Sequence, residues 1–281
     1  MSTTVFIAVI GAALLHAAWN ALVKGGADKT LNMGAVIIGH MPLAILALGF
    51  VPPPALESLP YLICGIALHF GYQMFLLLAY QNGDLTQVYP LARGSAPLIV
   101  ALFSVLVLGI HLENLELLAI AIIGTGIISL ALVRRSDGLR NPKAATFALI
   151  TGLFIASYSL VDGQGARISG SSVGFFAWLA IANGLLMILF LALRHPHTLK
   201  AIPHKGMFIL FVGGGASFIA YALVTWAFTQ APIALVTALR ETSIIFALLI
   251  GVFFLKERLD LLKVFSTAMT LIGALLLRYA R

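Results

Sequence analysis

The sequence predicts an all-α integral membrane protein, with ten transmembrane helices arranged as two inverted five-helix repeats. Three observations lead there. The 281 residues are 61% hydrophobic and only 10% charged, with a mean hydropathy of +1.05, whereas a soluble domain is roughly a quarter charged. Gly, Pro and charged residues cut the chain into apolar runs, each near the roughly 20 residues that cross a bilayer. Short stretches of the first half also return, in order, in the second. A soluble fold of this size has too small an interior to hide so much apolar surface, so the outside must face lipid.

The ten runs lie near Val5–Val23, Leu31–Phe50, Leu59–Ala79, Leu85–Ile110, Leu115–Val133, Ala145–Val161, Val173–Leu193, Met207–Phe228, Ile233–Leu255 and Leu261–Leu277. The first has no basic segment before it and contains His16, Trp19 and Asn20, so it reads as a retained helix and not a cleaved signal. The connections are too short for a soluble domain. The net charge of +7 says little about nucleic acid and no such partner is expected, because basic residues in a membrane protein mark cytoplasmic loops. Lys24, Lys29, Arg134, Arg135, Arg140, Lys143, Arg194, Lys200, Lys205, Lys256, Arg258 and Lys263 all fall in odd-numbered loops. That count puts those loops in the cytoplasm and both termini outside. The lone cysteine, Cys64, excludes an internal disulfide and a cysteine-built metal site, and reads as a packed thiol. No cofactor motif is present.

The repeat comes next. "AYQNGDLTQVYPLAR" (79–93) resembles "AFTQAPIALVTALR" (227–240), and "HLENLELLAIAIIG" (111–124) resembles "LKERLDLLKVFSTA" (255–268). "AAWNALVKGG" (17–26) can be laid on "ASYSLVDGQG" (156–165), pairing Trp19 with Tyr158. Residues 1–139 then form one repeat and 140–281 the other. Five spans per repeat is odd, so the halves sit in opposite orientations, the arrangement of alternating-access carriers with a site near the bilayer midplane.

With these residues in place, the plan resembles the drug/metabolite transporter superfamily in its EamA-type branch, over nearly the whole chain. The fourth and ninth spans, with the exits "ENLEL" and "KERLDL", match best. Two features depart from the family pattern. Its usual Gly-Glu pair at the exits is absent, since Leu112 precedes Glu113 and Lys256 precedes Glu257. The family is drawn with cytoplasmic termini, opposite to the charge count. The resemblance implies export of amino acids or related metabolites across a plasma membrane, here a bacterial inner membrane.

Polar residues inside the runs mark the candidate site, because an ionisable group in a membrane helix costs at least about 3 kcal/mol at midplane unless it faces a cavity or a partner. Arg93 and Arg240 occupy nearly equivalent positions in the halves, and Glu241 follows Arg240. Either Arg93 pairs with Glu241 as a clasp, or a guanidinium grips a carboxylate or phosphonate of the solute. Tyr89 and Pro90 are expected to break the start of the fourth helix beside Arg93, or Pro90 simply opens its membrane core. In the first span His16 and Asn20 share a face and Trp19 lies three residues from His16; His16 is a candidate proton relay. His69, Tyr72, Gln73 and Tyr80 form one polar stripe of the third helix. Tyr221, Thr225 and Trp226 answer from the eighth, with His40 and Asn183 as isolated midspan polars. Asp162, at the end of the sixth span, is read as an ordinary interfacial carboxylate, and is the only acidic candidate besides Glu241 for proton or cation coupling. The fifth and tenth spans, nearly all apolar, are expected at the periphery against lipid or a second copy, with Gly124 and Gly126 allowing close packing and a homodimer.

An intramembrane enzyme is the rival class, but HExxH and GxSxG are absent and no GxxxxGK[ST] is present for ATP. A channel built of like-charge rings fits an inverted repeat less well. The expectation is a secondary carrier, an exporter by alternating access, for a small polar metabolite that is amino-acid-like or carries a carboxylate or phosphonate. Its energy would come from a proton or solute gradient. The runner-up solute is a hydrophobic or aromatic organic cation.

Overall fold

The computed structural model describes residues 2–106, 113–131, 141–257 and 261–279, and every regular element among them is helical. Helix α1 (Thr3–Gly25) begins at Ser2, whose hydroxyl accepts from the Val5 amide. Asp28 does the same for α2 (Lys29–Ile38), through the Leu31 amide at 2.9 Å. Helix α3 (His40–Leu48) continues that span after a kink at Gly39, where Pro42 cannot donate to the carbonyl of Ile38. The kink also serves packing. A Cβ on Gly39 would sit 2.0 Å from the Leu210 carbonyl oxygen, and one on Gly214 would sit 2.8 Å from Gly39 Cα. Only glycine lets the two backbones meet.

Next come α4 (Leu59–Asn82), α5 (Leu85–Leu106), α6 (Asn114–Ala131), α7 (Pro142–Ile168) and α8 (Ser172–Arg194). The short α9 (Pro196–Ala201) and two π-type turns (Ile202–Gly206 and Ile209–Gly213) lead into α10 (Gly214–Gln230). The chain ends in α11 (Ile233–Arg240), α12 (Ser243–Phe253) and α13 (Leu261–Tyr279).

Among the described residues, six stretches are long and apolar enough to cross a membrane: Thr3–Gly25, Lys29–Leu48, Leu56–Asn82, Pro142–Ile168, Ser172–Arg194 and Ile209–Gln230. They coincide with the first, second, third, sixth, seventh and eighth expected spans. The other four expectations fall on α5, α6, the α11–α12 pair and α13. Leu112, Arg134, Arg135, Arg140, Arg258 and the 139/140 repeat boundary lie outside the described residues.

The burial pattern suits lipid. Phe6, Leu46, Phe50, Phe208 and Phe254 are exposed, while His69, Arg93, Asp162, Arg240 and Glu241 are buried. Cys64 is exposed on α4 and not packed, which corrects the expectation from its apolar run: the run faces outward there, beside exposed Ile63.

α4 and α7 lie antiparallel. The Asn141 side chain, before α7, donates to the Asn82 carbonyl at the end of α4, while Gly165 near the end of α7 lies against Tyr61 near the start of α4. The bundle is tied shut at the Asn82 end. The Glu257 carboxylate, between α12 and α13, accepts from the Leu85 and Thr86 amides at 2.8 and 2.9 Å. Lys263 donates to Thr86 Oγ1 at 3.0 Å and lies 3.7 Å from Asp84. Lys24 reaches the Tyr80 carbonyl at 3.3 Å. A carboxylate at a helix N-terminus meets both free amides and the positive end of the helix dipole. Lys256, just before Glu257, holds φ at 54°, a left-handed conformation that turns the chain into this contact.

α6 and α13 pack on each other. A Cβ on Gly126 would come 2.8 Å from the Ser266 carbonyl oxygen, and Ser266 donates to Ser129 at 2.8 Å. The small residue of α6 that suggested a second copy thus serves contact within the chain; Gly124 has no heavy atom near its missing Cβ.

Candidate functional site

The buried polar residues gather around two small chambers in the middle of the bundle. One, of about 10 Å³, is lined by His16 of α1, Arg93 of α5, Tyr221 of α10, Arg240 of α11 and Ser243 of α12, together with small apolar residues. The other, of about 30 Å³, is lined by His16, Trp19, His40, His69, Tyr72, Gln73, Tyr158, Asn183 and Tyr221, with Phe176 and Ser217. His16 and Tyr221 line both, so the chambers adjoin across those two side chains. Room for a water or two is all either offers. A recess of about 740 Å³ opens at the opposite end of the bundle from Glu257, around Arg167, Gln230 and Pro232. Arg167 there donates to the Phe228 and Ala231 carbonyls at 2.9 Å each, closing the end of α10.

The arginine chamber holds the clasp that the sequence allowed. Arg93 Nη2 donates to Glu241 Oε1 at 3.1 Å, with both side chains 2% exposed. Arg240 is different. Its two terminal nitrogens are buried without a hydrogen-bond partner, and the guanidinium carbon lies 5.5 Å from the Tyr221 ring centroid, a cation–π distance. Nε and Nη1 of Arg93, Oε2 of Glu241 and the Tyr89 hydroxyl are also unpartnered. Tyr89 stands beside His16, ring centroids 6.1 Å apart.

One expectation fails here. Helix α5 runs unbroken from Leu85 through Tyr89 and Pro90 to Arg93. Pro90 is tolerated because it removes only one early bond, while the helix start is held by Asp84 and Glu257. The break occurs instead in the other half, at Glu241 and Thr242 between α11 and α12. There the Thr242 amide bonds the Leu239 carbonyl in a tighter turn, and this turn carries Glu241 towards Arg93.

The aromatic chamber is built around a carboxylate that the sequence placed at the edge of its span. Asp162 is fully buried. Its Oδ2 accepts from Tyr221 OH at 2.5 Å and lies 2.6 Å from His69 Nε2. Its Oδ1 has no partner and faces Gly65, where a Cβ would stand 2.5 Å away. The sixth span does not end at Val161. α7 continues to Ile168, so Asp162 lies a turn and a half inside it. Tyr158, one turn before Asp162, stacks on the His69 ring at 4.2 Å. Tyr72 meets Tyr158 edge-on at 5.4 Å.

His16 accepts the Trp19 indole N–H on Nδ1 at 3.1 Å. A neutral ring then carries its proton on Nε2, which is buried and unpartnered. His40 sits beside the stacked rings of Phe176 and Phe218, with its Nε2 unpartnered too. Gln73 Oε1 and Asn183 Oδ1 are likewise unpartnered.

Two expected site residues stand apart. Asn20 is tied into α1–α4 packing, accepting from Tyr80 OH at 2.7 Å and donating to the His16 carbonyl at 2.8 Å. Trp226 is half-buried against the core and lines neither chamber. Conversely, Ser243 and Phe176 line the chambers and were missed, and Asp162, read as a coupling candidate at the edge of its span, lies deeper than expected. The depth of Asp162 had a signal: it lies four residues after Tyr158, on one helical face, if the span is allowed to continue.

Residues 142–279, in the second half of the chain, match the EamA-like transporter family, membrane transporters of the drug/metabolite transporter superfamily. The fold agrees: a solved crystal structure superposes with a TM-score of 0.66 at 18% identity, covering 98% of this chain and 96% of that one. No curated protein matches the chain.

Proposed function

We propose that this transporter is a secondary carrier that exports a small amino-acid-like solute carrying a carboxylate or phosphonate, across a plasma membrane and by alternating access. Residues 1–139 and 140–281 would be the two inverted halves that rock about the central chambers. The observation that carries this reading is Arg240, with a buried guanidinium that has two free terminal nitrogens on a chamber wall. A guanidinium in that state has bidentate capacity unused, and a carboxylate or phosphonate fits its fork. The chambers are far smaller than the roughly 300 Å³ of an ordinary ligand pocket. Solute entry therefore requires the halves to part. The ties at Glu257 and Lys263 close one end, and the recess at Arg167 opens at the other.

A thermal-shift screen of purified protein tests the reading. L-Alanine, propionate or methylphosphonate, at concentrations well above Kd, should raise the melting temperature. The rise should vanish in Arg240→Ala while the unliganded melting temperature does not fall below that of the parent. Stabilisation that survives in Arg240→Ala removes the anion site.

A second reading has its own support. Tyr72, Tyr158, Tyr221 and Phe176 surround a chamber backed by the Asp162 carboxylate, a setting for an aromatic or hydrophobic organic cation. It requires stabilisation by such cations alone, lost in Asp162→Asn and kept in Arg240→Ala.

A further inference from the structure

The connection from α8 to α10 carries charge that the fold does not use. No acidic residue occurs between Asp162 and Glu241. In the middle of that stretch stand Arg194, Lys200 and Lys205, with His195, His197 and His204 among them, and all six are exposed. Among the described residues, Arg194, Lys200 and Lys205 have no hydrogen-bond or ion-pair partner. Asp28, at the start of the adjoining α2, caps its own helix at the Leu31 amide instead.

The segment is a strap pressed onto the bundle. Ile202 is buried, and a Cβ on Gly34 of α2 would lie 3.6 Å from its Cδ1. A Cβ on Gly206 would meet Leu31 and Ala35 of the same helix at 3.2 and 3.4 Å. Leu199 and Ala201 also pack against the core. The apolar side chains of α9 and of the turn after it thus face inward, while Lys200, His204 and Lys205 face outward. That is the division of an amphipathic segment lying in a membrane interface.

The neighbours of the strap fix its depth. Leu185, Leu189 and Leu193 make an exposed apolar stripe along α8 that ends at Arg194. Met207, Phe208 and Phe211 resume an exposed apolar wall just after Lys205. The cations therefore sit where hydrocarbon gives way to headgroups, at the end of the bundle that Glu257 closes, since α7 runs away from Asn82 and α8 returns.

We propose that this strap is a binding surface for an anionic phospholipid. The headgroup phosphate meets Arg194, Lys200 and Lys205, and the acyl chains lie along the exposed stripes of α8 and of the eighth span. A free phosphate ion matches the cations but not the apolar wall on either side of them. A diacyl phospholipid matches both. Seated there, it braces α8 and the start of the eighth span over α2, and so stabilises the closed end. Nothing in this depends on which solute is carried.

Lipid titration of the purified full chain in detergent, read by melting temperature, tests the proposal. Dioleoylphosphatidylglycerol should raise the melting temperature, and dioleoylphosphatidylcholine should not. The rise should shrink as salt is added. A Lys or Arg near an anionic membrane surface is worth about fivefold in association, so Lys200→Gln with Lys205→Gln should weaken the apparent affinity for phosphatidylglycerol about 25-fold. The charge-keeping pair, Lys200→Arg with Lys205→Arg, should retain it. Lys143→Gln with Lys256→Gln removes two exposed lysines from the same end and should leave the affinity unchanged. Each single variant of the strap should show about a fivefold loss, which decides the matter if the double variant folds poorly. Equal stabilisation by both lipids overturns the proposal. So does an equal rise from inorganic phosphate or glycerol 3-phosphate alone, which would make the strap an ion site. An equal loss in Lys143→Gln with Lys256→Gln overturns it too, because diffuse surface charge would then account for the binding.

Discussion

Arg93 and Arg240 sit at matching places in two similar stretches of sequence, yet the chain treats them differently. Arg93 lies on an unbroken α5 and has a partner from the other half of the chain, Glu241. Arg240 ends α11, and the turn that follows delivers its neighbouring carboxylate to Arg93 and not to Arg240 itself. A buried charge with a partner is architecture. One without a partner is a standing cost of several kcal/mol that structure alone does not recover. The difference separates the clasp from the candidate site, although both residues are equally buried.

Removing the clasp's carboxylate should test that division most severely. Glu241→Gln leaves Arg93 buried and unpaired, so stability in detergent should fall by about 3–5 kcal/mol. Replacing both partners, Arg93→Met with Glu241→Leu, should recover most of the loss. A double variant no more stable than Glu241→Gln would show that the pair does more than hold α5 to α12. Lys256→Gly should act in the opposite sense. It relieves a left-handed backbone at an exposed side chain and should stabilise by about 1 kcal/mol, read as a raised melting temperature. Arg240→Ala should leave stability unchanged or raise it, since it removes a buried guanidinium and leaves no hydrogen-bond partner behind. A large loss would make Arg240 a second structural arginine. Trp226→Phe should be smallest of all, leaving both melting temperature and solute binding near the parent values, because Trp226 lines neither chamber.

Much of this arrangement is legible in residue order. The stripe of His69, Tyr72 and Gln73, the pairing of Arg93 with Glu241, and the convergence of His16, His40 and Tyr221 follow from helical spacing and the expense of polarity in lipid. Asp162 was misplaced because the small residues after it, Gly163 and Gly165, read as the end of a span. In the fold they are sites of close packing, against Ile233 and Phe175, and the helix passes through them. One of the two readings of Pro90 put a helix break there, because proline is the residue that most often causes one. The break falls at Glu241–Thr242, where no local signal exists and a contact with the other half sets the geometry. The missing glycine at the second exit has a structural sequel. The position before Glu257 demands a left-handed backbone, which glycine adopts freely and Lys256 adopts under strain.

Glu257 closes its end of the bundle by gripping two backbone amides, Leu85 and Thr86, and no side chain of α5. Heredity sees only half of that bolt. Any residue but proline at positions 85 and 86 supplies the same amide, so point mutation can erase the carboxylate but can hardly erase its receiver. A lineage bearing this closure could therefore let the start of α5 drift in sequence, retuning how the entrance meets lipid or solute, without losing the means to shut it.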